Sequence, residues 1–240
     1  MRKVKKWLAL LVATMLALQP LAFPVSAAPA DDVAPPEAWG PIPTETQLQY
    51  HEEELSAFIH FGVNTFTGVE WGNGRENPNV FHPTGLDTDQ WVKALKDAGF
   101  ERIIMIGRHH DGFCLWNSDY TTQDVASSTD FQATQAARGQ SGDVLEELSK
   151  SCTKYDMDMG FYLSPWDANN PTYGYGSGTD EETDSNGDYN EYYMNQLREV
   201  LGNPKYGNNG KFVEVWMDGA KGSGAAAQHY KFQEWFDLIE

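Results

Sequence analysis

The sequence predicts an α/β fold of the (β/α)8, TIM-like barrel type, with about the first four strand–helix units contained in these 240 residues. Three observations predict it. Four short apolar runs recur along the chain, a segment of helical periodicity follows each, and the residues suited to chemistry collect just after the runs.

The chain opens on an address. Arg2, Lys3, Lys5 and Lys6 precede the apolar run 7–18, and Val25, Ser26 and Ala27 are the small residues that a signal peptidase reads. Residues 1–27 are therefore expected to be a secretory signal cut near Ala27, and the protein to be secreted. The run is too short to span a bilayer comfortably, and Pro20 and Pro24 break its helix. No other segment is expected to span. Residues 28–43, rich in Pro, Ala and Asp, read as a linker. The barrel part is expected over 44–240.

Strands are predicted at 57–61 (AFIHF), 103–107 (IIMIG), 159–164 (MGFYLS) and 212–217 (FVEVWM). Their near-continuous apolar character is that of a parallel sheet covered on both faces. Helices are predicted between them. Segment 88–98 sets Trp91, Val92 and Leu95 on one face, with Asp87 as cap and Gly99 past the end. Segment 143–155 aligns Val144, Leu145, Leu148 and Cys152; segment 189–201 aligns Tyr193, Leu197 and Val200 or Leu201 before Gly202-Asn203-Pro204 stops it. A fourth helix is expected from near Ala225 to Glu240. Strand starts 46, 56 and 53 residues apart leave room for an extended loop in each unit. A doubly wound open sheet shares the alternation, but no Gly-rich phosphate fingerprint follows the first strand.

Composition bounds the function. With 40% hydrophobic and 13% aromatic residues the chain can fill a core, which excludes wholesale disorder. Thirty-five acidic against 17 basic residues, a net charge of −18, argue against a nucleic-acid partner. Cys114 and Cys152, in no metal-ligand spacing, are either a pair or two buried thiols.

The chemistry-bearing residues stand at the four strand ends. The first run leads into His60 and then Glu70-Trp71; the second into Arg108-His109-His110-Asp111 and Trp116; the third into Tyr162, Ser164 and Trp166-Asp167; the fourth into Asp218-Gly219. Tryptophan, histidine, tyrosine and carboxylates on one rim suit a sugar, whose C–H faces stack on aromatic rings while its hydroxyls take hydrogen bonds. Asp218 is the favoured nucleophile, ending an apolar strand with Gly219 leaving its approach open. It also fits a plain turn cap, and Glu214, on the same face by alternation, competes with it. His109 and His110 with Asp111 invite a metal reading, but neither HExxH nor HxH occurs, and no metal or cofactor is expected. The acidic stretch Asp180, Glu181, Glu182, Asp184 and Asp188 lacks EF-hand spacing and reads as a solvated loop.

The string HFGVNTFTGVEWGNGRENPNVFHPTGLDTDQWVKALKDAGF with RHHDGFCLW, FYLSPWD and EVWMDGA, in that order, resembles the α-L-fucosidases of glycoside hydrolase family 29, from about Trp39 onward. The NTFT, EWG, LSPWD and DGA wording is similar to the branch acting on α-1,3- or α-1,4-linked fucose. The resemblance implies a (β/α)8-like barrel and hydrolysis of terminal α-L-fucose with retention, on fucosylated oligosaccharides or glycoprotein glycans. Carried over, it puts the nucleophile on Asp218 and fucose binding on His60, Glu70, Trp71, His109, His110 and Tyr162. The acid/base residue of that family follows the nucleophile strand and is expected beyond Glu240, so residues 1–240 are expected to be the amino-terminal part of the enzyme, inactive or nearly so alone. Arg108 stands where the resemblance leads one to expect Lys. A non-catalytic fucose-binding protein and a metal-dependent hydrolase built on His109, His110 and Asp111 are the alternatives.

Overall fold

The computed structural model describes residues 34, 36–174, 188–219 and 228–240. The signal-peptide reading and the acidic stretch up to Asp184 lie outside them. The chain divides at Thr44/Glu45 into two units; the described residues of the first contain no helix or strand.

In the second unit the order is α1 (Glu45–Glu52), β1 (Ser56–Ile59), α2 (Val63–Thr67), α3 (Thr88–Asp97), β2 (Arg102–Arg108), α4 (Thr129–Ala137), α5 (Val144–Lys154), β3 (Asp158–Leu163), α6 (Tyr189–Val200), β4 (Glu214–Trp216) and α7 (Phe232–Ile239), with short 3-10 turns at Pro78–Val80 and Val125–Ser127. All four predicted strands form. They pair in parallel in the order β1-β2-β3-β4, with Ala57 beside Ile103, Ile103 beside Met159 and Gly160 beside Glu214.

Strand order and layering decide between the two α/β alternatives. The side chains of Ile103, Met105, Met159 and Phe161 join one core with Val92 of α3, Leu145 and Leu148 of α5, and Leu197 of α6. Ile104, Ile106 and Tyr162 form a separate small cluster on the opposite face. Helices thus cover one face, and sequential order leaves no switch point, as in the wall of a (β/α)8 barrel rather than a doubly wound sheet. Coverage of both faces holds for β2, buried throughout, and for β3, buried from Met159 on. It fails for β1 and β4, where Phe58 and Trp216 remain more than a third exposed and touch edge-to-face at 4.9 Å. These are the outer strands of the sheet among the described residues, so fewer neighbours cover them.

The helices form where caps and apolar faces coincide. Asp87 accepts from the Gln90 N–H, Asp143 from the Glu146 N–H and Asp188 from the Asn190 N–H, each satisfying a donor that the first turn leaves unpaired. The last helix differs from expectation: residues 228–231 are not helical and α7 starts at Phe232, where Trp235 packs at 4.1 Å on Tyr193. Helices α1, α2 and α4 were not foreseen; α1 buries no residue and α2 is one short turn, so neither carries an amphipathic signature. Cys114 and Cys152 are buried free thiols.

Candidate active site

At the carboxyl ends of the strands a cleft of about 550 Å³ opens, lined by His60, Asn64, Glu70, Trp71, His109, His110, Asp111 and Asp218 among others. Six of the seven residues singled out from sequence therefore line one cavity. The seventh, Tyr162, is fully buried beneath it and donates its hydroxyl hydrogen to Asp218 Oδ2 at 3.1 Å. Burial and the Asp218 charge both push the Tyr162 phenol well above its usual range, so it stays a donor.

A bulge in β2 places the histidines. Pairing with β3 slips between Ile106 and Arg108, and a one-residue slip reverses which face each following side chain meets. Gly107 is obligatory there, since a Cβ would lie 2.2 Å from the Phe161 ring. Arg108 then turns away from the cleft to the helical side, fully buried, where it pairs with Asp167 at 3.1 Å and donates to Tyr189 Oη at 2.9 Å, to Gln196 and to the Ser164 carbonyl. The Arg-for-Lys difference accordingly falls outside the wall of the cleft. His109 faces the cleft, with its ring parallel to Tyr162 at 6.0 Å and edge-on to His60 at 5.7 Å. His110 follows in the turn, 4.2 Å from His109 between ring centres, and its Nδ1 lies 2.7 Å from Ser164 Oγ.

Desolvation, aided by the neighbouring imidazoles, lowers His109 to about 4; desolvation also lowers His110, with Arg108 and His60 acting in the same sense. Both rings are therefore neutral near pH 7, each with one donor and one acceptor, which matches hydroxyl groups better than a charged ligand.

Sequence reasoning places Asn64 among the residues after the first strand but gives it no role. Its Nδ2 donates to Asp111 Oδ2 at 2.8 Å and to the Glu70 carbonyl at 3.0 Å, tying the loop that carries Glu70 and Trp71 to the turn after β2. Asp111 is buried and also accepts from the Phe113 N–H; desolvation raises it to about 7. No local pattern marks Asn64, because its partners lie 6 and 47 residues away. The metal reading finds these groups otherwise engaged: Asp111 by Asn64 and Phe113, His110 by Ser164. Among the described residues no three His, Cys, Asp or Glu side chains are grouped to hold an ion.

The two competing carboxylates are separated by the strand. Glu214 lies at the amino end of β4, paired at 2.9 Å with Arg102, which also binds Glu53. Asp218 lies at the carboxyl end, exposed to the cleft. Gly219 follows at φ +98°, its N–H on Asp218 Oδ1 at 2.7 Å, and a Cβ at this position would sit 2.8 Å from His110 Cε1. The Trp71 ring stands edge-on to Trp166 at 5.9 Å, more than half exposed, as an apolar wall at the mouth.

Comparison with known proteins agrees with this layout. The family model for α-L-fucosidase matches residues 37–238. Alpha-L-fucosidase 1 of Arabidopsis thaliana is 43% identical over 199 residues, which are 83% of this chain and 35% of that protein. A variant of a Ruminococcus gnavus fucosidase of glycoside hydrolase family 29, solved in complex with fucose, is 49% identical with a TM-score of 0.71, over 82% of this chain and 40% of that one. A Bacteroides thetaiotaomicron member of the same family, trapped as a covalent intermediate with 2-fluoro-fucosyl fluoride, is 26% identical with a TM-score of 0.62, over 84% of this chain and 46% of that one. The chain thus spans about a third to a half of the length of these relatives. With the family model over most of its length and the parallel half-wall of a (β/α)8 barrel beneath the cleft, the chain belongs to the α-L-fucosidase family, glycoside hydrolase family 29.

Proposed function

We propose that this chain carries the fucose-binding cleft and the nucleophile of a retaining exo-α-L-fucosidase acting on fucosylated oligosaccharides or glycoprotein glycans, with α-1,3 or α-1,4 linkages preferred. The observation that carries the reading is Asp218: a carboxylate at the carboxyl end of a barrel strand, open to a cleft of histidines and tryptophan, with one oxygen held by Tyr162 Oη at 3.1 Å. In this reading His60, Glu70, His109 and His110 bind the sugar hydroxyls, Trp71 covers an apolar face of the ring, and Tyr162 acts through Asp218.

The Asp218 carboxylate attacks the anomeric carbon as the glycosidic C–O bond breaks, giving a fucosyl ester and an aglycone alcohol that takes its proton from a second carboxylic acid. That group, about 5 to 5.5 Å from the nucleophile in retaining enzymes, then deprotonates the water that cleaves the ester. We assign it to the part of the barrel that this chain does not span, and expect residues 1–240 alone to turn over little or no substrate. The basic residues and apolar run within 1–27 support an exported enzyme, and among the described residues no helix is long and apolar enough to cross a membrane.

The test is Asp218→Gly in the intact protein with an aryl α-L-fucoside. Turnover is abolished, and azide partly restores it by occupying the vacated position and forming a fucosyl azide. An unaffected rate removes Asp218 from the role; fucose binding by calorimetry without hydrolysis in the wild-type protein favours a sugar-binding function instead.

A further inference from the structure

Ser164 is the polar group on which three rim segments converge, and neither strand periodicity nor the family match gives it a role. It is fully buried at the end of β3. Its Oγ lies 2.7 Å from His110 Nδ1, 2.7 Å from the Trp166 carbonyl, 3.1 Å from the Trp166 N–H and 3.3 Å from the Asp218 carbonyl.

A hydroxyl has one hydrogen to give and two lone pairs to fill. The Trp166 N–H takes one lone pair. The two carbonyls have no hydrogen of their own, so the Ser164 hydrogen must point toward them, on Trp166 by the shorter distance. That leaves one lone pair and one neighbour at 2.7 Å, which is satisfied only when His110 Nδ1 bears a hydrogen and donates it. The opposite assignment spends the Ser164 hydrogen on His110 and leaves two oxygens facing each other at 2.7 Å with no hydrogen between them.

We propose that Ser164 is a positioning residue that fixes His110 as the Nδ1–H tautomer and, through the same oxygen, holds the Asp218 backbone and the Trp166 loop in register with it. Neutral His110 then keeps Nε2 as a hydrogen-bond acceptor, so it takes a hydrogen bond from a sugar hydroxyl rather than giving one. The coupling to the nucleophile is close, because Gly219, next to Asp218, lies directly against the His110 ring. Arg108 supports the hub from below by donating to the Ser164 carbonyl.

The kinetic part of this proposal rests on the fucosidase reading; the tautomer part does not. In the intact 15N-labelled wild-type protein, the His110 imidazole, assigned by its loss in His110→Gln, should show a protonated Nδ1 and an unprotonated Nε2. In Ser164→Ala the Nε2–H form gains population, and kcat/KM for an aryl α-L-fucoside falls about 10- to 100-fold, the range for stranding a buried polar group. Ser164→Thr, which keeps the hydroxyl, restores the Nδ1–H pattern. A wild-type His110 protonated at Nε2 overturns the proposal even where Ser164→Ala fails to fold. So does a Ser164→Ala protein with unchanged tautomer and unchanged kcat/KM. A wild-type protein that releases no fucose counts against the fucosidase reading, while its tautomer still decides the role of Ser164.

Discussion

Replacing Gly219 by alanine joins backbone strain, histidine geometry and the proposed nucleophile, Asp218, in one perturbation. At φ +98° an L-residue is strained whatever space surrounds it, by about 1 to 3 kcal/mol. The added methyl would also stand 2.8 Å from His110 Cε1, 3.2 Å from its Nδ1 and 3.3 Å from Trp166 Cβ. Carbon atoms rest at about 3.5 to 4.0 Å, so the ring or the Asp218 backbone must yield by roughly 0.7 Å or more. A move of that size stretches the 2.7 Å contact between His110 and Ser164 to about 3.4 Å or more, past the usual range of about 2.7 to 3.2 Å, or swings the Asp218 carboxylate away from Tyr162. Misplacement approaching 1 Å in an active site costs up to about 100-fold in rate, and strain plus the lost bond should destabilise by about 2 to 4 kcal/mol. The assay pairs kcat/KM on an aryl α-L-fucoside with thermal unfolding. A Gly219→Ala protein with wild-type kcat/KM and wild-type Tm would refute the reasoning, since it would show that neither the backbone angle nor the contact constrains the site.

Two further outcomes follow from the buried ionisable groups. His109 titrates near 4 when folded against 6.5 unfolded, so between those values the unfolded chain binds the extra proton and acidification weakens the fold; Asp111, near 7 folded against 3.8 unfolded, binds its proton first in the folded chain and acts in the opposite sense over almost the same window. Removing the Asp111 contribution with Asp111→Asn should leave that of His109 unopposed, so Tm should fall more steeply from pH 6.5 to pH 4.5 than in the wild type; parallel profiles would contradict the assignment. At the Arg108–Asp167 pair, Arg108→Met strands a fully buried carboxylate and should cost about 3 to 5 kcal/mol in urea unfolding. Arg108→Lys keeps the charge but not the fork to Tyr189 and Gln196, and should cost about 1 to 2 kcal/mol while changing kcat/KM far less than Ser164→Ala does; equal stability of the Met and Lys variants would show that the charge pairing does not matter.

The helices that could be read in advance were those with a cap and a buried stripe in one segment: Asp143 before Val144, Leu145, Leu148 and Cys152 is the clearest. Helix α1 escaped because it buries nothing, and α7 was placed too early because no side-chain cap marks its start at Phe232. Glu214 and Asp218 were indistinguishable by alternation, which reports the face of a strand but not its end. Arg102, at the start of β2 two strands away, draws Glu214 into an ion pair at the amino end and leaves Asp218 to the cleft.

By itself the sequence determined the repeating strand and helix units, the parallel sheet and the residues gathered at its carboxyl ends, because periodicity, caps and apolar runs are local properties. Tertiary structure alone decided which way those residues face. The slip between Ile106 and Arg108 sends Arg108 outward and His109 inward, and Ser164 Oγ and Asn64 Nδ2 join segments tens of residues apart. The physical reason is that a strand's alternation can be reversed by one bulge whose position is set by pairing with another strand, and a hydrogen bond between distant segments leaves no period in the chain.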